Sequence, residues 1–235
     1  MIREAIILAG GLGTRLRSAV PDLPKCMAPV AGKPFIWYLM KYLKQQGIES
    51  FIFSLGYKNE IIKEYLETNF TKTLFTFVIE DEPLGTGGAI KLACDVALEP
   101  NVIVLNGDTL FEIDVQKVAA FHQQHLAICT LSLKPMHDFD RYGVVEINQD
   151  NAIQSFKEKQ YYSAALINGG VYALNVAQFQ NLALPDKFSF EKEFLEKYFT
   201  SHTMMGLVQD QYFIDIGIPE DLEKANNEFP KIFSV

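Results

Sequence analysis

A glycine-rich turn near the N-terminus has the composition of a phosphate-binding loop. Gly10-Gly11-Leu12-Gly13 directly follows the apolar run Ala5–Ala9. Glycine has no Cβ, so the backbone N–H groups of such a turn can close on a phosphate. Arg15 can offer a two-pronged guanidinium to phosphate oxygens, and Lys25 adds a compact ammonium charge. These groups predict a cradle for a triphosphate, although a lone glycine turn after a strand is as often only a tight bend.

Two common phosphate-binding motifs do not match this turn. The dinucleotide fingerprint requires a third glycine at the position of Leu16. The P-loop requires Gly-Lys followed by Ser or Thr, whereas this chain reads Gly13-Thr14-Arg15. The sequence therefore supports neither a dehydrogenase nor a P-loop ATPase.

Two aspartates each follow an apolar run of strand length. Val102–Leu105 precedes Asn106-Gly107-Asp108, and Tyr212-Phe213-Ile214 precedes Asp215. Open α/β sheets bind their ligands at the carboxyl ends of the strands. Two carboxylates without a nearby histidine or cysteine suit a hard cation such as Mg²⁺, which shares its shell with phosphate oxygens and water. The alternative is that each aspartate only caps the turn that follows it.

The elements that would position these residues alternate between strand and helix in the first half of the chain. Strands are predicted at Ala5–Ala9, Phe51–Leu55, Phe75–Ile79 and Val102–Leu105. Helices are predicted from Pro34 to Gly47 and over Asn59–Leu66, Thr86–Ala97 and Asp114–Gln124. This alternation predicts a parallel sheet covered by helices.

The second half of the chain has a different pattern. Ala127–Leu133, Val144–Ile147 and Leu166–Leu174 are predicted to be strands joined by hairpins and loops, which favours a mixed or antiparallel extension. Helices are predicted over Ser189–Phe199 and Pro219–Phe229. We expect one domain over residues 1–235, made of a first part of about 1–125 and a second part of about 126–235.

Composition limits the classes of protein that this chain can belong to. The 235 residues carry a formal net charge of −8, which disfavours a nucleic-acid surface. Residues 1–35 nevertheless hold five basic side chains against two acidic ones, which favours bound phosphates there. Three cysteines without paired spacing predict a reducing, cytoplasmic setting, and no membrane-spanning segment or signal peptide is expected.

Extended motifs resemble the signature of sugar-phosphate nucleotidylyltransferases. They are Leu8–Leu16, Pro24-Lys25 and Pro29–Pro34, with Cys26 departing from the small residue or proline expected there. The resemblance implies that the glycine turn and Arg15 hold the β- and γ-phosphates and that Lys25 contacts the phosphate under attack. It also implies that Asp108 and Asp215 bind Mg²⁺ and that Arg15, Lys25 and Asp108 are catalytic. The implied nucleotide-binding residues are Leu8, Ala9, Gly10, Gly11, Gly13, Thr14, Arg15, Lys25, Glu80, Gly85, Thr86, Asn106 and Asp108.

The same resemblance implies a fold and a base preference. The fold is α/β and Rossmann-like, with a mostly parallel central sheet, helices on both faces and a smaller mixed or antiparallel sugar-binding extension. Glu80–Gly88 resembles the base-binding loop of the family. A carboxylate only accepts hydrogen bonds, and guanine offers adjacent N1–H and N2–H donors, so Glu80 favours GTP. The alternative is that this acidic run is a solvated loop.

Three further segments resemble those that bind the sugar phosphate in the family. Glu158 is expected to accept hydrogen bonds from sugar hydroxyls, Lys159 to hold the phosphate, and Asn168 to bond a hydroxyl. The implied sugar-phosphate-binding residues are Arg141, Tyr142, Gly143, Glu158, Lys159, Asn168 and Gly169.

The predicted reaction joins a nucleoside triphosphate, with GTP favoured, to a sugar 1-phosphate and releases pyrophosphate. The pattern most resembles short bacterial D-glycero-D-manno-heptose 1-phosphate guanylyltransferases, notably Val20–Lys25 and Pro83–Gly88. One alternative is a uridylyl- or thymidylyltransferase for a hexose or amino-sugar 1-phosphate. Another is a non-catalytic sensor of nucleotide sugars. A homo-oligomer is compatible with the sequence, which does not define the oligomeric state.

Overall fold

The computed structural model describes residues 1–11, 13, 16 and 19–233. The strands are β1 (Glu4–Leu8), β2 (Pro29–Val30), β3 (Lys33–Pro34), β4 (Ser50–Leu55), β5 (Leu74–Ile79), β6 (Asn101–Asn106), β7 (Thr109–Phe111), β8 (Cys129–Phe139), β9 (Val144–Ile147), β10 (Ile153–Lys157), β11 (Tyr162–Asn175), β12 (Met204–Val208) and β13 (Phe213–Asp215). The helices are α1 (Phe35–Gln45), α2 (Asn59–Asn69), α3 (Gly85–Cys94), α4 (Val115–Gln124), α5 (Val176–Gln180), α6 (Glu196–Tyr198) and α7 (Pro219–Ile232).

Four parallel strands form one side of the main sheet, with β5 at its edge. β1 lies between β4 and β6, and β5 continues the sheet beyond β4, all in parallel register. Ile7 pairs with Phe53 on one side and with Leu105 on the other. The parallel α/β sheet predicted from the alternating pattern is confirmed. The carboxyl ends of these parallel strands lie at the same edge of the sheet, so the chain segments that follow the strands lie close together there.

An antiparallel extension continues the sheet from β6. The long strand β11 pairs with β6 through Val171–Asn175 and with β8 along most of its length. β9 pairs with the first half of β11, and β10 pairs with the other edge of β9. β12 pairs with β8 in parallel. The mixed extension is therefore confirmed. β8 and β11 extend beyond the predicted runs, and the prediction missed their outer ends because those residues are mostly half-exposed or exposed and lack a continuous apolar pattern.

Helices cover both faces of the sheet because strand residues alternate in direction. In β1, Ile7 packs with the cluster that contains helices α1, α2, α4 and α7. Ile6 points to the opposite face and packs with α3, α5 and the helical segment after Ser189. Both isoleucines are fully buried. Among the described helices none is long and apolar enough to cross a membrane.

The helix predicted over Ser189–Phe199 is irregular. Phe190–Leu195 forms a π-helical turn that continues into α6, and the Ser189 side chain caps it by accepting from the Lys192 N–H. The predicted aromatic face is present, since the ring of Phe194 lies 4.9 Å from Phe190 and 6.1 Å from Tyr198. π-Helical turns occur frequently at functional sites.

His122 on α4 is buried and provides a pH-dependent contribution to stability. Its Nδ1 lies 2.9 Å from Thr130 Oγ1, and its Nε2 lies 3.2 Å from Asn101 Oδ1, which can only accept. The neutral ring therefore donates from Nε2 and accepts at Nδ1. Burial lowers the pKa of His122 to about 4. The unfolded chain takes up this proton near pH 6.5, so stability is lost as the pH falls below that value.

We expect acidification from pH 6.5 to pH 4 to lower the free energy of unfolding by roughly 2 to 3 kcal/mol through His122 alone. Urea unfolding at several pH values measures this, with His122→Gln as the control that cannot titrate. The difference between the two pH slopes isolates the histidine from carboxylates that titrate nearby. Equal slopes for the two proteins would contradict the expectation.

Candidate active site

A cleft of about 460 Å³ opens at the carboxyl ends of the central strands. The residues that line it come from the ends of β1, β5 and β6, from the short helical turn at Lys25–Met27, from β7, from the start of α3 and from the β13 region. Those predicted from the sequence are Leu8, Ala9, Gly10, Gly11, Gly13, Lys25, Glu80, Gly85, Thr86, Asn106, Asp108 and Asp215. The other lining residues, which were not predicted to bind a ligand, are Cys26, Pro83, Ala89, Gly107, Thr109 and Gly217. Thr14 and Arg15 lie outside the described residues.

Two glycines of the turn have structural reasons to be glycine. A Cβ on Gly10 would lie 2.6 Å from Glu80 Oε1 and 3.2 Å from Gly56 N, so a side chain there would displace the Glu80 carboxylate. Gly13 has a φ of +58°, a left-handed conformation that glycine adopts without strain. The turn therefore requires glycine at these two positions for structural reasons, whether or not it also binds phosphate.

Lys25 lies between the two aspartates predicted to bind metal. Its ammonium donates to the Asp108 carboxylate, and Asp215 Oδ1 lies 3.3 Å from the same nitrogen. Asp215 comes close to Asp108 because β13 pairs antiparallel with β7, where Asp215 stands opposite Thr109. The structure therefore brings together three residues that are far apart in the sequence.

The two carboxylates share a partly dry environment. Asp108 and Asp215 side chains are each 28% exposed. Burial and the neighbouring Asp108 raise the pKa of Asp215, while Lys25 acts in the opposite direction. No cluster of three or more His, Cys, Asp or Glu ligands exists among the described residues. Two carboxylates around one cationic position fit a hard divalent ion that completes its shell with phosphate oxygens and water.

Glu80 follows β5 and faces the cleft with an oriented carboxylate. Ser54 Oγ donates to its Oε1 at 3.1 Å, and the Leu84 N–H donates to its Oε2 at 3.0 Å. Ser54 is fully buried, so this hydroxyl is fixed within β4. A carboxylate oxygen has two lone pairs, and each oxygen of Glu80 can therefore accept a further hydrogen bond from a ligand.

A second cavity of about 370 Å³ adjoins the first. Asn106 lines both cavities. Of the residues predicted to bind sugar phosphate, the second cavity is lined by Tyr142, Gly143, Glu158, Lys159 and Asn168. The Asn168 amide is held in place, because it donates to Tyr172 Oη and accepts from the Gly170 N–H.

Two predicted sugar-binding residues lie elsewhere. The Arg141 guanidinium donates to the Asp221 carboxylate at 2.6 Å and lines a neighbouring cavity, which Tyr142 also borders. Gly169 is buried, and a Cβ there would lie 2.4 Å from the Phe111 ring. Neither residue lines the second cavity, because an ion pair directs Arg141 to α7 and Gly169 packs closely within β11. A role of either residue in binding the sugar phosphate stays a prediction.

The sequence did not single out one side of the second cavity. Ser189, Glu191, Lys192 and Glu196 line it from the helical segment after Ser189. The only signal in the sequence was the polar face opposite Phe190 and Phe194, which is also what a solvated helix surface shows. Their position depends on how this segment packs against β11, where Phe190 meets Tyr172 at 5.0 Å between ring centroids.

Comparison with known proteins assigns the class. The family model described as Nucleotidyl transferase matches residues 4–231. The chain therefore belongs to the nucleotidyl transferase family, as its motifs predicted, and the predicted fold class is confirmed. Enzymes of this family generally use a divalent metal ion.

Three relatives are similar over nearly the whole chain. D-glycero-alpha-D-manno-heptose 1-phosphate guanylyltransferase of Aneurinibacillus thermoaerophilus is 52% identical, covering 96% of this chain and 97% of that protein. The protein of the same name from Campylobacter jejuni is 47% identical, covering 93% and 96%. The crystal structure of HddC from Yersinia pseudotuberculosis complexed with GMP-PN has a TM-score of 0.87 and 41% identity, covering 97% and 100%.

Proposed function

We propose that this protein transfers a guanylyl group from GTP to D-glycero-D-manno-heptose 1-phosphate, giving GDP-heptose and pyrophosphate. The observation that carries the proposal is the junction of the two cavities. One holds the glycine turn and the Lys25–Asp108–Asp215 cluster, the other holds Lys159, and Asn106 lines both. This arrangement would place a sugar phosphate beside the α-phosphate of a bound nucleotide. The two guanylyltransferase relatives support the choice of substrates.

The proposed reaction is an in-line displacement without a protein nucleophile. An oxygen of the sugar phosphate forms a bond to the α-phosphorus, and the bond from that phosphorus to the bridging oxygen breaks. Pyrophosphate leaves with the electron pair of the broken bond. Alignment and charge stabilisation provide the catalysis, so the residues need to hold the substrates rather than react with them.

The charged residues predicted to bind the nucleotide phosphates and the metal ion each have a part in this scheme. Arg15 and the glycine turn hold the pyrophosphate, and Lys25 stabilises negative charge at the reacting phosphate. Asp108 and Asp215 are the proposed ligands of Mg²⁺, which would neutralise charge on the triphosphate when bound. Support comes from the ion pairs of Lys25 with both carboxylates, because two adjacent negative charges favour a cation between them.

The base and the sugar are recognised in different cavities. Glu80 is proposed to accept from guanine N1–H and N2–H, in keeping with its two oriented oxygens. In the second cavity, Glu158 and Asn168 are proposed to bond sugar hydroxyls beside Tyr142 and Gly143. The nucleotide-binding part is proposed to span about 1–125 and the sugar-binding part about 126–235, although Asp215 lines the first cleft.

The proposed setting is cytoplasmic. All three cysteines are free and buried. Burial raises the pKa of Cys26 and Cys94 to about 12, so these thiols stay protonated and unreactive at neutral pH. This thiol pattern supports a reducing compartment.

Lys159 provides a direct prediction for the sugar phosphate. Among the described residues it has no ion-pair partner, whereas Lys157 in the same cavity pairs with Glu146. We expect Lys159→Ala to raise the KM for heptose 1-phosphate at least ~10-fold, the loss of one charge-assisted hydrogen bond. The KM for GTP should change little. Steady-state kinetics with each substrate varied in turn measures both values.

Lys157→Ala is the matched control for that experiment, because it removes a lysine from the same cavity whose charge is already neutralised. Its KM for heptose 1-phosphate should stay within about threefold of wild type. A larger effect for Lys157→Ala than for Lys159→Ala would assign the phosphate to Lys157 instead.

Product identification tests the proposal itself. The protein is incubated with GTP, heptose 1-phosphate and Mg²⁺, and ³¹P NMR follows the nucleotide resonances. The expected result is the pair of signals of a diphosphate diester together with free pyrophosphate. Release of inorganic phosphate alone, which would mean that GTP is hydrolysed without transfer, would contradict the proposal.

A further inference from the structure

The two cavities are joined by a hydrogen bond as well as by Asn106. Thr86 lines the first cavity and Glu191 lines the second. Thr86 Oγ1 donates to Glu191 Oε2 at 2.9 Å. The same hydroxyl accepts from the Phe190 N–H at 2.9 Å, so both of its roles are taken up by the helical segment. Thr86 therefore connects the turn at the nucleotide cleft to one wall of the sugar cavity.

The Glu191 carboxylate is held by one oxygen only. Ser189 Oγ donates to the same Oε2 at 2.8 Å, so this oxygen accepts two hydrogen bonds. Within the part of the chain that the structure describes, Oε1 has no protein donor. The carboxylate is thus fixed in orientation while one oxygen remains available in the cavity that Glu191 lines.

The turn at Leu84–Gly88 and the start of the helical segment are closely packed and hydrogen-bonded to each other. The Gly87 N–H donates to Phe188 O at 3.0 Å, and the Phe188 N–H donates to Leu84 O at 2.9 Å. A Cβ on Gly85 would lie 2.5 Å from Phe188 O, and one on Gly87 would lie 2.1 Å from the Phe188 ring. Leu84–Gly88 and the residues around Phe188 therefore form one closely packed contact.

The other end of this turn is hydrogen-bonded to Glu80, the residue proposed to recognise the base. The Leu84 N–H donates to Glu80 Oε2 at 3.0 Å. A continuous set of contacts thus runs from Glu80 through Leu84 and Thr86 to Glu191. Contiguity alone does not prove energetic coupling, which must be measured between the two ends.

We infer that Thr86 is a positioning residue that couples the two substrate sites, so that a bound nucleotide strengthens the binding of the sugar phosphate. The inference rests on the proposed function, because it takes the two cavities as the sites of the two substrates. A nucleotide held by Glu80 and the glycine turn fixes Leu84–Gly88, and through Thr86 it fixes Glu191. The sugar phosphate then loses less freedom on binding, and by linkage it strengthens nucleotide binding by the same factor.

Calorimetry with a non-reactive nucleotide measures this coupling. Heptose 1-phosphate is titrated into the protein with Mg²⁺, with and without saturating α,β-methylene GTP. The ratio is the dissociation constant without the nucleotide divided by the dissociation constant with it. We expect a ratio of at least ~5 for the wild-type protein, the lower end of typical coupling between sites. Thr86→Val keeps the shape but removes the hydroxyl, and its ratio should fall to within twofold of 1. Thr86→Ser keeps the hydroxyl and should retain most of the wild-type ratio.

The ratio distinguishes coupling from a general loss of structure, because each variant is compared with itself. A wild-type ratio near 1, or an undiminished ratio in Thr86→Val, would overturn the inference. If the valine variant does not fold, the ratio is measured on Thr86→Ala, which also removes the hydroxyl that bonds Glu191, and an undiminished ratio there would overturn the inference. Failure of the proposed function would be seen separately, as absence of guanylyl transfer by the wild-type protein.

Discussion

Asp108→Ala is expected to lower kcat at least ~100-fold while the protein stays folded, the loss typical when a charge-stabilising group is removed from a reaction centre. The Asp108 carboxylate faces both Lys25 and Asp215, so its removal takes away one of two proposed metal ligands. Lys25 keeps an ion pair with Asp215 at 3.3 Å, and no charge is left without a partner. The effect should therefore appear in turnover and not in stability.

The measurement is pyrophosphate release at saturating GTP and heptose 1-phosphate, with the thermal midpoint of unfolding as the check on folding. Asp210→Ala is the matched control, because Asp210 is an exposed aspartate that pairs with Lys134 away from both cavities. Its activity should stay near wild type. If Asp108→Ala keeps more than about a tenth of wild-type kcat, which is a barrier change below about 1.4 kcal/mol, Asp108 is not a metal ligand in catalysis.

Glu80→Gln is expected to change the base preference. A glutamine side chain has nearly the shape of glutamate, so it fits in the same narrow space beside Gly10. The space is narrow because a Cβ added to Gly10 would lie only 2.6 Å from Glu80 Oε1. Its amide oxygen would turn to the Leu84 N–H, which can only donate, and its NH₂ group would face Ser54. That NH₂ group would also face a guanine donor. A buried donor left unpaired costs about 1 to 3 kcal/mol, so kcat/KM for GTP should fall roughly 10- to 100-fold.

The comparison of GTP with UTP and dTTP measures the change in preference. Glu82→Gln is the control, because Glu82 is exposed, pairs with Lys187 at 3.4 Å and does not line the cleft. It should leave base preference unchanged. A Glu80→Gln protein that still prefers GTP by the wild-type factor would remove Glu80 from base recognition.

The central sheet was predictable because its signal is local. Each of the four parallel strands is a mostly apolar run, such as Val102–Leu105, and segments of helical period lie between these runs. The glycine turn and Asp108 were predictable for a similar reason, since they follow the ends of β1 and β6. Their approach to one another then follows from the parallel arrangement. Lys25 lies well after β1, and it was the Pro24-Lys25 motif of the family that pointed to it.

The positions of the remaining site residues depend on contacts between segments that are distant in the sequence. Local sequence patterns do not predict such contacts. β7 and β13 are three residues each, too short to show an alternating pattern, yet their pairing sets Asp215 beside Asp108. Arg141 was predicted to line the sugar cavity, but its ion pair with Asp221 on α7 holds it outside. Glu191 was missed because its polar helix face resembles any solvated surface until Thr86 is seen to bond it.

Pyrophosphate release across a panel of substrate pairs tests the central claim most directly. The four ribonucleoside triphosphates and thymidine triphosphate are each combined with heptose, mannose, glucose and N-acetylglucosamine 1-phosphates in the presence of Mg²⁺. Guanylyl transfer as proposed predicts release only, or by far the fastest, with GTP and the heptose phosphate. Release with UTP or dTTP and a hexose phosphate would contradict the guanine and heptose assignments, and no release with any pair would contradict the proposed catalytic function.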